Sequence, residues 1–305
     1  MINLDRAFMA GHQFKEALIV GIIDVISKNA ELELLKVTNS LEAILPTTAL
    51  IINLNSNSQG RGTQEKSFDS DSRIKYMSAK IQTSQGKRDN LELRAAKNMY
   101  VQAIRENPEY ANCGLIVEVN LNGSNTAITE SAFRIALDSA FQWDALAANQ
   151  AGKYRDIESL RHEFWAPNNS IDEFMWFRFF INEKKAWERA VKKKQIKISA
   201  HNLPISVDSA FGGLCIYKRW IFEKFDYSHQ AGLTSSENSH VTLNRKAKAV
   251  GARIFIHPAL INSKGRHLHF LHVEVFRWLK RSVHYFPFVF FLPFLRRLRA
   301  TTQAR

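Results

Sequence analysis

Two asparagines stand at the end of an apolar run, where side chains could bind a cation. The run 114–119 has the composition of a buried strand, and it ends in Asn120-Leu121-Asn122-Gly123. An asparagine carbonyl oxygen can ligate a hard cation, but it lacks the charge that makes a carboxylate an effective ligand for Mg²⁺ or Mn²⁺. Asn and Gly also tolerate positive φ, so the same residues are typical of an ordinary turn. Both interpretations stay open at this point.

The elements that would position these asparagines alternate between strand and helix patterns. Strands are predicted at 17–24, 49–54 and 114–119, and helices at 28–45, before Pro46, and at 91–105, before Asn107-Pro108. This order predicts an α/β fold with a mixed, mostly parallel sheet flanked by helices. Such sheets bind ligands at the carboxyl ends of their strands, where the polar turns 55–63 and 120–125 both fall.

The middle of the chain mixes aromatic and polar residues. The stretch 174–187 is predicted as one aromatic helix, and 206–217 has strand character. Gly212 and Gly213 lack a Cβ, so they let backbone and ligand approach closely, or they mark a bulge in a core strand. Two interpretations of the stretch 154–162 stay open: its side chains line a ligand-binding cleft, or it forms a surface helix. No repeat with a period of 20 to 50 residues stands out, which argues against a repeat architecture.

Length and composition indicate a globular protein with a substantial core. The chain has 305 residues, of which 45% are hydrophobic. Its two cysteines, Cys113 and Cys215, lie in apolar runs as small hydrophobes and predict no disulfide framework, which favours a reducing compartment. Glu16 and Asp24 flank the first apolar run, which argues against an export signal there.

The carboxyl-terminal tail, residues 264–305, differs in composition from residues 1–263 and is predicted as a separate segment. It carries nine Lys or Arg against one acid, so it contributes +8 of the formal net charge of +13. Its apolar stretch 285–295 contains two prolines and falls short of the roughly 20 residues that a spanning helix needs. Aromatic residues flanked by arginines predict an amphipathic segment on an anionic membrane surface. The alternative is a cap packed on the rest of the chain.

From about residue 16 to 262, the chain resembles bacterial glycosyltransferases with a GT-A (Rossmann-like) fold. Each motif alone has modest specificity, and their shared order makes the set more specific. The motifs that carry the resemblance are the polar turn 55–63, Lys97-Asn98 on a helix, the strand ending at Asn120, Trp143-Asp144-x-x-x-Ala148-Asn149-Gln150, Tyr154-x-Asp156-Ile157-x-x-Leu160-Arg161-His162 and Ser209-Ala210-Phe211-Gly212-Gly213-Leu214-x-Ile216-Tyr217.

The resemblance implies a nucleotide-sugar donor site built by the first half of the chain. It implies a divalent cation, Mn²⁺ or Mg²⁺, at an Asp-x-Asp position that maps onto Asn120 and Asn122, with His240 as a weaker third ligand. The other donor or substrate residues that it implies are Asn55, Asn57, Ser58, Lys97, Asn149, Tyr154, Asp156, Arg161, His162, Phe211, Gly212 and Gly213.

The chain departs from the family pattern in its acidic residues. Both carboxylates of the Asp-x-Asp position are amides, and Ser239 stands before His240 where relatives carry an acid. Positive side chains could neutralise a departing diphosphate in place of a metal, and the candidates are Lys97, Arg155 and Arg161. Inversion needs a general base, for which Asp208 and Glu237 are the predicted catalytic residues, whereas a retaining reaction needs none. Glu237 could instead begin a helix.

Three functions follow from these observations. The first is a glycosyltransferase of surface polysaccharide synthesis, cytoplasmic and peripheral to the inner face of the membrane, which acts on a glycan or lipid-linked acceptor. The second is a degenerate relative that binds a glycan or a partner enzyme without turnover. The third, a nucleic-acid-binding protein, ranks last because the basic residues concentrate in a tail with no recognisable nucleic-acid module.

Overall fold

The computed structural model describes residues 14–23, 27–54, 71–79, 90–229 and 237–264. These residues belong to a compact unit that covers Met1–Arg266. The strands are β1 (Glu16–Ile23), β2 (Thr47–Asn53), β3 (Ile74–Ser78), β4 (Cys113–Asn120), β5 (Ala145–Gln150), β6 (Ile205–Val207), β7 (Leu214–Lys218) and β8 (Ile254–Ser263). The α-helices are α1 (Lys28–Glu42), α2 (Asn90–Glu106), α3 (Glu130–Leu137), α4 (Ser170–Phe177), α5 (Glu183–Ala190), α6 (Trp220–Lys224) and α7 (Ser239–Ala249).

The eight strands form one sheet in the order β3-β2-β1-β4-β7-β5-β8-β6. Six of them run in one direction, while β7 is antiparallel to β4 and β5, and β6 is antiparallel to β8. The predicted α/β fold with a mixed, mostly parallel sheet is therefore confirmed. The chain leaves β1 toward β2 and β3 and then returns to β4 on the other side of β1. A topological switch point thus lies between the carboxyl ends of β1 and β4.

The two faces of β4 have different roles, because successive side chains of a strand point to opposite faces. Leu115, Val117 and Val119 are fully buried in the hydrophobic core that α1 and α3 cover. The alternate residue Glu118 faces α2, where its carboxylate accepts a hydrogen bond from the Tyr100 hydroxyl. One face of the strand therefore serves packing, and the other carries charge toward the carboxyl edge of the sheet.

Two predicted elements are each divided in the structure. The stretch predicted as one helix at 174–187 forms α4 and α5, and the side chain of Asn182 caps the second helix by accepting from the Lys185 N–H at 3.0 Å. The strand-like stretch 206–217 forms β6 and β7, which pair with different strands. The stretch 154–162 contains turns and isolated bridges and no helix, although Tyr154, Ile157 and Leu160 are buried.

Strand β8 ends at Ser263, and the tail lies outside the described residues after Lys264, so the predicted boundary at residue 263 stays a prediction. Within the described ranges, no helix is both long and apolar enough to cross a bilayer.

Candidate functional site

The turn after β4 is held in place by a carboxylate of α1. Glu33 is buried, and its two oxygens accept from the N–H groups of Gly123, at 2.6 Å, and Asn125, at 2.5 Å. Burial raises the pKa of Glu33, and these main-chain hydrogen bonds counteract part of the rise. Glu33 therefore holds the turn beside the switch point through main-chain N–H groups, and the side chains of Asn120 and Asn122 take no part in these two bonds.

A second set of amide hydrogen bonds joins this turn to the glycine pair before β7. Asn125 donates to the Asn120 carbonyl at 2.8 Å, and Asn262, at the end of β8, donates to Asn125 Oδ1 and to the Gly212 carbonyl, both at 2.9 Å. Gln150 also donates to the Gly212 carbonyl at 2.9 Å. The carboxyl ends of β4, β5 and β8 thus meet at one polar cluster.

Gly212 and Gly213 are required for close packing of the protein on itself. Both have positive φ, at 70° and 90°. A Cβ on Gly212 would lie 2.1 Å from the Ala148 carbonyl oxygen, and one on Gly213 would lie 2.8 Å from Ser124 Cβ. Both glycines thus allow close approach of the backbone to other parts of the protein, and the approach of a ligand to them stays a prediction.

Two of the three predicted metal ligands have partners within the protein. Asn122 Oδ1 accepts from the Ser124 hydroxyl, which is turn chemistry, and His240 Nε2 lies 2.9 Å from the Lys97 ammonium, where a cation would have to sit. No cluster of three or more His, Cys, Asp or Glu that could hold a metal occurs among the described residues. The ammonium of Lys97 does not fit a cation bound by His240, and the cation at Asn120 and Asn122 stays a prediction.

Instead of a metal centre, the α2 face of β4 carries a buried ionic cluster around Glu118. Its carboxylate accepts from Tyr100 Oη at 2.7 Å and Tyr227 Oη at 2.6 Å, and lies 2.9 Å from Lys97 Nζ. His240 Nδ1 lies 3.2 Å from the same carboxylate, within ion-pair distance but without the alignment of a hydrogen bond. Phe211 stacks on the His240 ring with centroids 3.7 Å apart, which links the cluster to the glycine pair.

Burial and charge act in opposite directions on the groups of this cluster. Burial alone would raise the pKa of Glu118, but His240, Lys97 and the Tyr227 hydroxyl hold that pKa well below its usual range. Burial lowers the pKa of Lys97, which Glu118 opposes, and burial also lowers the pKa of His240. The Glu118 carboxylate is therefore the anion around which the other groups are arranged.

A second buried ion pair lies between Arg161 and Glu237. The Glu237 main-chain carbonyl also accepts from Arg94 at 2.5 Å, and Arg94 donates to the Tyr227 carbonyl and the Thr242 hydroxyl, both at 2.9 Å. Helix α7 begins two residues after Glu237, with Asn238 as its N-cap. The predicted base Glu237 and the predicted phosphate ligand Arg161 therefore bind each other.

Several other predicted residues have structural partners at this edge. Asp156 accepts from the N–H groups of Gly212, at 2.8 Å, and Ser159, at 3.3 Å. Asn149 is fully buried and donates to the carbonyls of Ile198 and Pro258. The Tyr154 ring is buried against Trp165, and His162 Nδ1 accepts from two main-chain N–H groups of its own turn.

Asp208 lies apart from these clusters. Its side chain is 60% exposed and 3.6 Å from Lys248 Nζ, directly after β6, whose last residue pairs with the first residue of β8. Its main-chain N–H donates to the Arg161 carbonyl, so only the backbone joins it to the predicted site. The carboxylate is not in the partly buried environment that was expected of a base.

Glu158 is a titratable residue that the sequence analysis did not single out. Its side chain is half-buried, and burial, together with the negative charge of Asp156, raises its pKa to about 7, against the lowering effect of Arg161. The spacing Asp156-x-Glu158, two acids after the end of β5, is the signal that could have identified it. The predicted donor residues Asn55, Asn57 and Ser58 lie outside the described residues.

Comparison with known proteins adds a likeness of fold. No family model and no curated protein matches the chain. Among solved structures, the chain is similar to the mannosyltransferase PcManGT from Pyrobaculum calidifontis in complex with GDP-Man and Mn²⁺, with 13% identity and a TM-score of 0.47, over 86% of this chain and 60% of that one. It is also similar to S. aureus TarS 1-349, with 14% identity and a TM-score of 0.37, over 80% and 58%.

The chain spans about 60% of the length of these two structures. At such identities the similarity concerns the fold alone.

Proposed function

We propose that the chain is a glycosyltransferase that moves a sugar from a nucleotide-sugar donor to a glycan or lipid-linked acceptor in surface polysaccharide synthesis. The observation that carries this proposal is the position of the Asn120 turn at the switch point between β1 and β4. Open α/β sheets bind their ligands in the crevice outside this point. Three described residues of the motifs that resemble GT-A glycosyltransferases, Gln150, Asp156 and Gly212, are joined by hydrogen bonds at the same edge of the sheet, which supports the proposal.

In this proposal the departing diphosphate is neutralised by a side-chain cation. Lys97 and Arg161 are each bound to a buried carboxylate, so their charges are largely compensated. Arg155 is half-exposed, its N–H donates to Gln150 Oε1 at 2.9 Å, and its side chain forms no ion pair within the described ranges. Arg155 is therefore the better candidate of the three.

Glu158 is the better candidate for the general base of an inverting reaction. A base works best when its pKa lies near the working pH, and Glu158 meets that condition. The carboxylate would take the proton of the acceptor hydroxyl while the hydroxyl oxygen bonds to the anomeric carbon and the nucleoside diphosphate leaves with the electrons of its bond. Glu237, held by Arg161, would keep a supporting role.

Calorimetry with a panel of UDP- and GDP-sugars, with and without Mn²⁺, tests the function. We expect donor binding, and the absence of heat across the panel would overturn the proposal. The double variant Asn120→Asp/Asn122→Asp restores the charge that a cation needs, so we expect donor binding to become stronger in Mn²⁺. The exposed Asn202→Asp is the matched control. An equal metal response in both variants would show that residues 120 and 122 do not face the diphosphate.

A second candidate, a non-catalytic glycan- or protein-binding relative, is favoured by one observation. The two amides at the switch point provide no charged ligand, and Asn122 is already engaged by Ser124. This candidate predicts glycan binding without donor turnover, which a coupled assay for released nucleoside diphosphate separates from the first.

A further inference from the structure

The last turn of α4 and the connection to α5 expose three large aromatic side chains. Trp176 is 53% exposed, Phe179 60% and Phe180 69%. The Trp176 and Phe180 ring centroids lie 5.2 Å apart, so the rings form one contiguous patch. Clustered exposed aromatics on a folded domain mark an interaction surface more often than single exposed apolar residues do.

The α4–α5 hairpin, residues 170–197, presents this patch and is basic. It contains eight Lys or Arg and four acids. Those that are exposed are Lys184, Lys185, Arg189, Lys192, Lys193 and Lys197. The occupant of this surface must therefore offer both apolar groups and negative charge.

The hairpin is anchored by its inner side chains. Phe174 packs on Trp187 with ring centroids 5.5 Å apart, and the Arg189 guanidinium lies 5.0 Å from the Phe177 ring centroid. Trp165 Nε1 donates to the Lys194 carbonyl at 2.6 Å, which ties the end of the hairpin to the preceding turn. These inner aromatic residues pack the hairpin, whereas the exposed Trp176, Phe179 and Phe180 do not serve this packing.

We propose that the α4–α5 hairpin is a membrane-surface contact that inserts Trp176, Phe179 and Phe180 among the headgroups of an anionic bilayer. Aromatic rings prefer this depth, and nearby lysines and arginines pair with lipid phosphates. The chain's own tail and a second copy of the hairpin carry the same sign of charge, so both are repelled where a phospholipid surface is attracted. The proposal stands whether or not the chain transfers sugars.

The hairpin joins the carboxyl edge of the sheet, where the candidate site lies. Asn149, near the end of β5, donates to the Ile198 carbonyl at 3.0 Å, and the Tyr154 N–H donates to the Ile196 carbonyl at 2.7 Å. A bilayer bound to the hairpin would therefore be close to the edge at which a ligand is expected.

A polarity-sensitive fluorophore on Phe180→Cys in the full chain tests the proposal. Cys113 and Cys215 are buried, so the label reacts with the introduced thiol. We expect a blue shift of emission on addition of vesicles made of equal parts phosphatidylglycerol and phosphatidylcholine, and reversal of the shift at high salt. The control is Val250→Cys, which is 59% exposed at the end of α7 and is expected to give no shift.

Two results would overturn the proposal. One is an emission spectrum that vesicles do not change, which would mean that only another part of the chain binds lipid. The other is a spectrum that is already blue-shifted without lipid, which would identify the tail or a second copy as the occupant. In flotation with the same vesicles, we expect Phe179→Ser/Phe180→Ser to lower partitioning at least about tenfold and Val250→Ser to leave it unchanged.

Discussion

At the scale of single residues, the most specific prediction concerns Glu158 and the pH dependence of stability. Its pKa is raised from 4.5 to about 7, so the folded protein binds more protons than the unfolded chain between these values, and the free energy of unfolding falls as the pH rises through this window. Glu158→Gln removes the effect. In urea denaturation at pH 8, the free energy of unfolding of the variant should exceed that of the wild type by on the order of 2 kcal/mol. The two values should converge near pH 4.5.

The same variant tests the catalytic role. If Glu158 is the base, transfer by the wild type rises through about pH 7, and Glu158→Gln loses roughly 100-fold or more in rate. The control is Glu163→Gln, an exposed acid five residues along the chain. Greater stability with unchanged activity would leave Glu158 as a buried acid without a role in transfer.

The sequence could identify the residues of the site better than their roles. Lys97 and Phe211 lie in the Glu118 cluster, Asp156 binds the Gly212 N–H, and Arg161 pairs with Glu237, while the roles of these residues in binding and catalysis stay predictions. Their partners could not be predicted, because the ion pairs join residues far apart in the chain. The role of Glu118 could not be predicted for the same reason, because a single acid within an apolar run does not indicate which polar groups surround it. Its four partners are Lys97 and Tyr100 on α2, Tyr227 after α6, and His240 on α7.

At the scale of elements, the turn at Gly212 can approach β5 closely because Gly212 has no side chain. Gly212→Ala should destabilise the fold, because its Cβ would clash with the Ala148 carbonyl. Gly251→Ala is a matched control, since Gly251 also has positive φ but open space around it. We expect about 1–2 kcal/mol of destabilisation for Gly251→Ala and at least about 2 kcal/mol more for Gly212→Ala in urea denaturation. Equal effects would show that the turn shifts freely.

The sequence predicts β1, β2 and β4 well, gives no prediction of β3, and predicts the middle of the chain poorly. The strands β1, β2 and β4 are buried on both faces between helices, so they read as continuous apolar runs. In 174–187 the aromatic residues extend past the end of α4, and only the cap at Asn182 marks the new helix. In 206–217 both halves have strand character, and the division depends on packing of Gly212 that no local pattern shows.

At the scale of the whole molecule, charge is divided between the tail and the remainder. Removal of residues 264–305 lowers the formal net charge from +13 to +5. We expect the shortened chain to lose at least about 100-fold in affinity for anionic vesicles, because each basic residue near the surface adds on the order of 1 kcal/mol. Flotation at increasing salt measures the change, and the salt dependence should also weaken.

A full-length control separates charge from chain length. Replacement of Arg296, Arg297 and Arg299 by Gln keeps the tail and removes three of its charges. An intermediate affinity is expected. Unchanged vesicle binding by the shortened chain would contradict a tail anchor and leave the hairpin as the main contact.

The bond from Glu33 to the turn after β4 has a consequence for how the chain can change by mutation. Because Glu33, Asn125 and Asn262 determine the shape of the turn, residues 120 and 122 can exchange carboxylate for amide with little effect on folding. The residues that hold the turn are thus different from the two predicted ligand positions. Under the proposed function, as few as two substitutions would change the metal requirement, and the same separation makes this turn a practical place to install a new cation site by design.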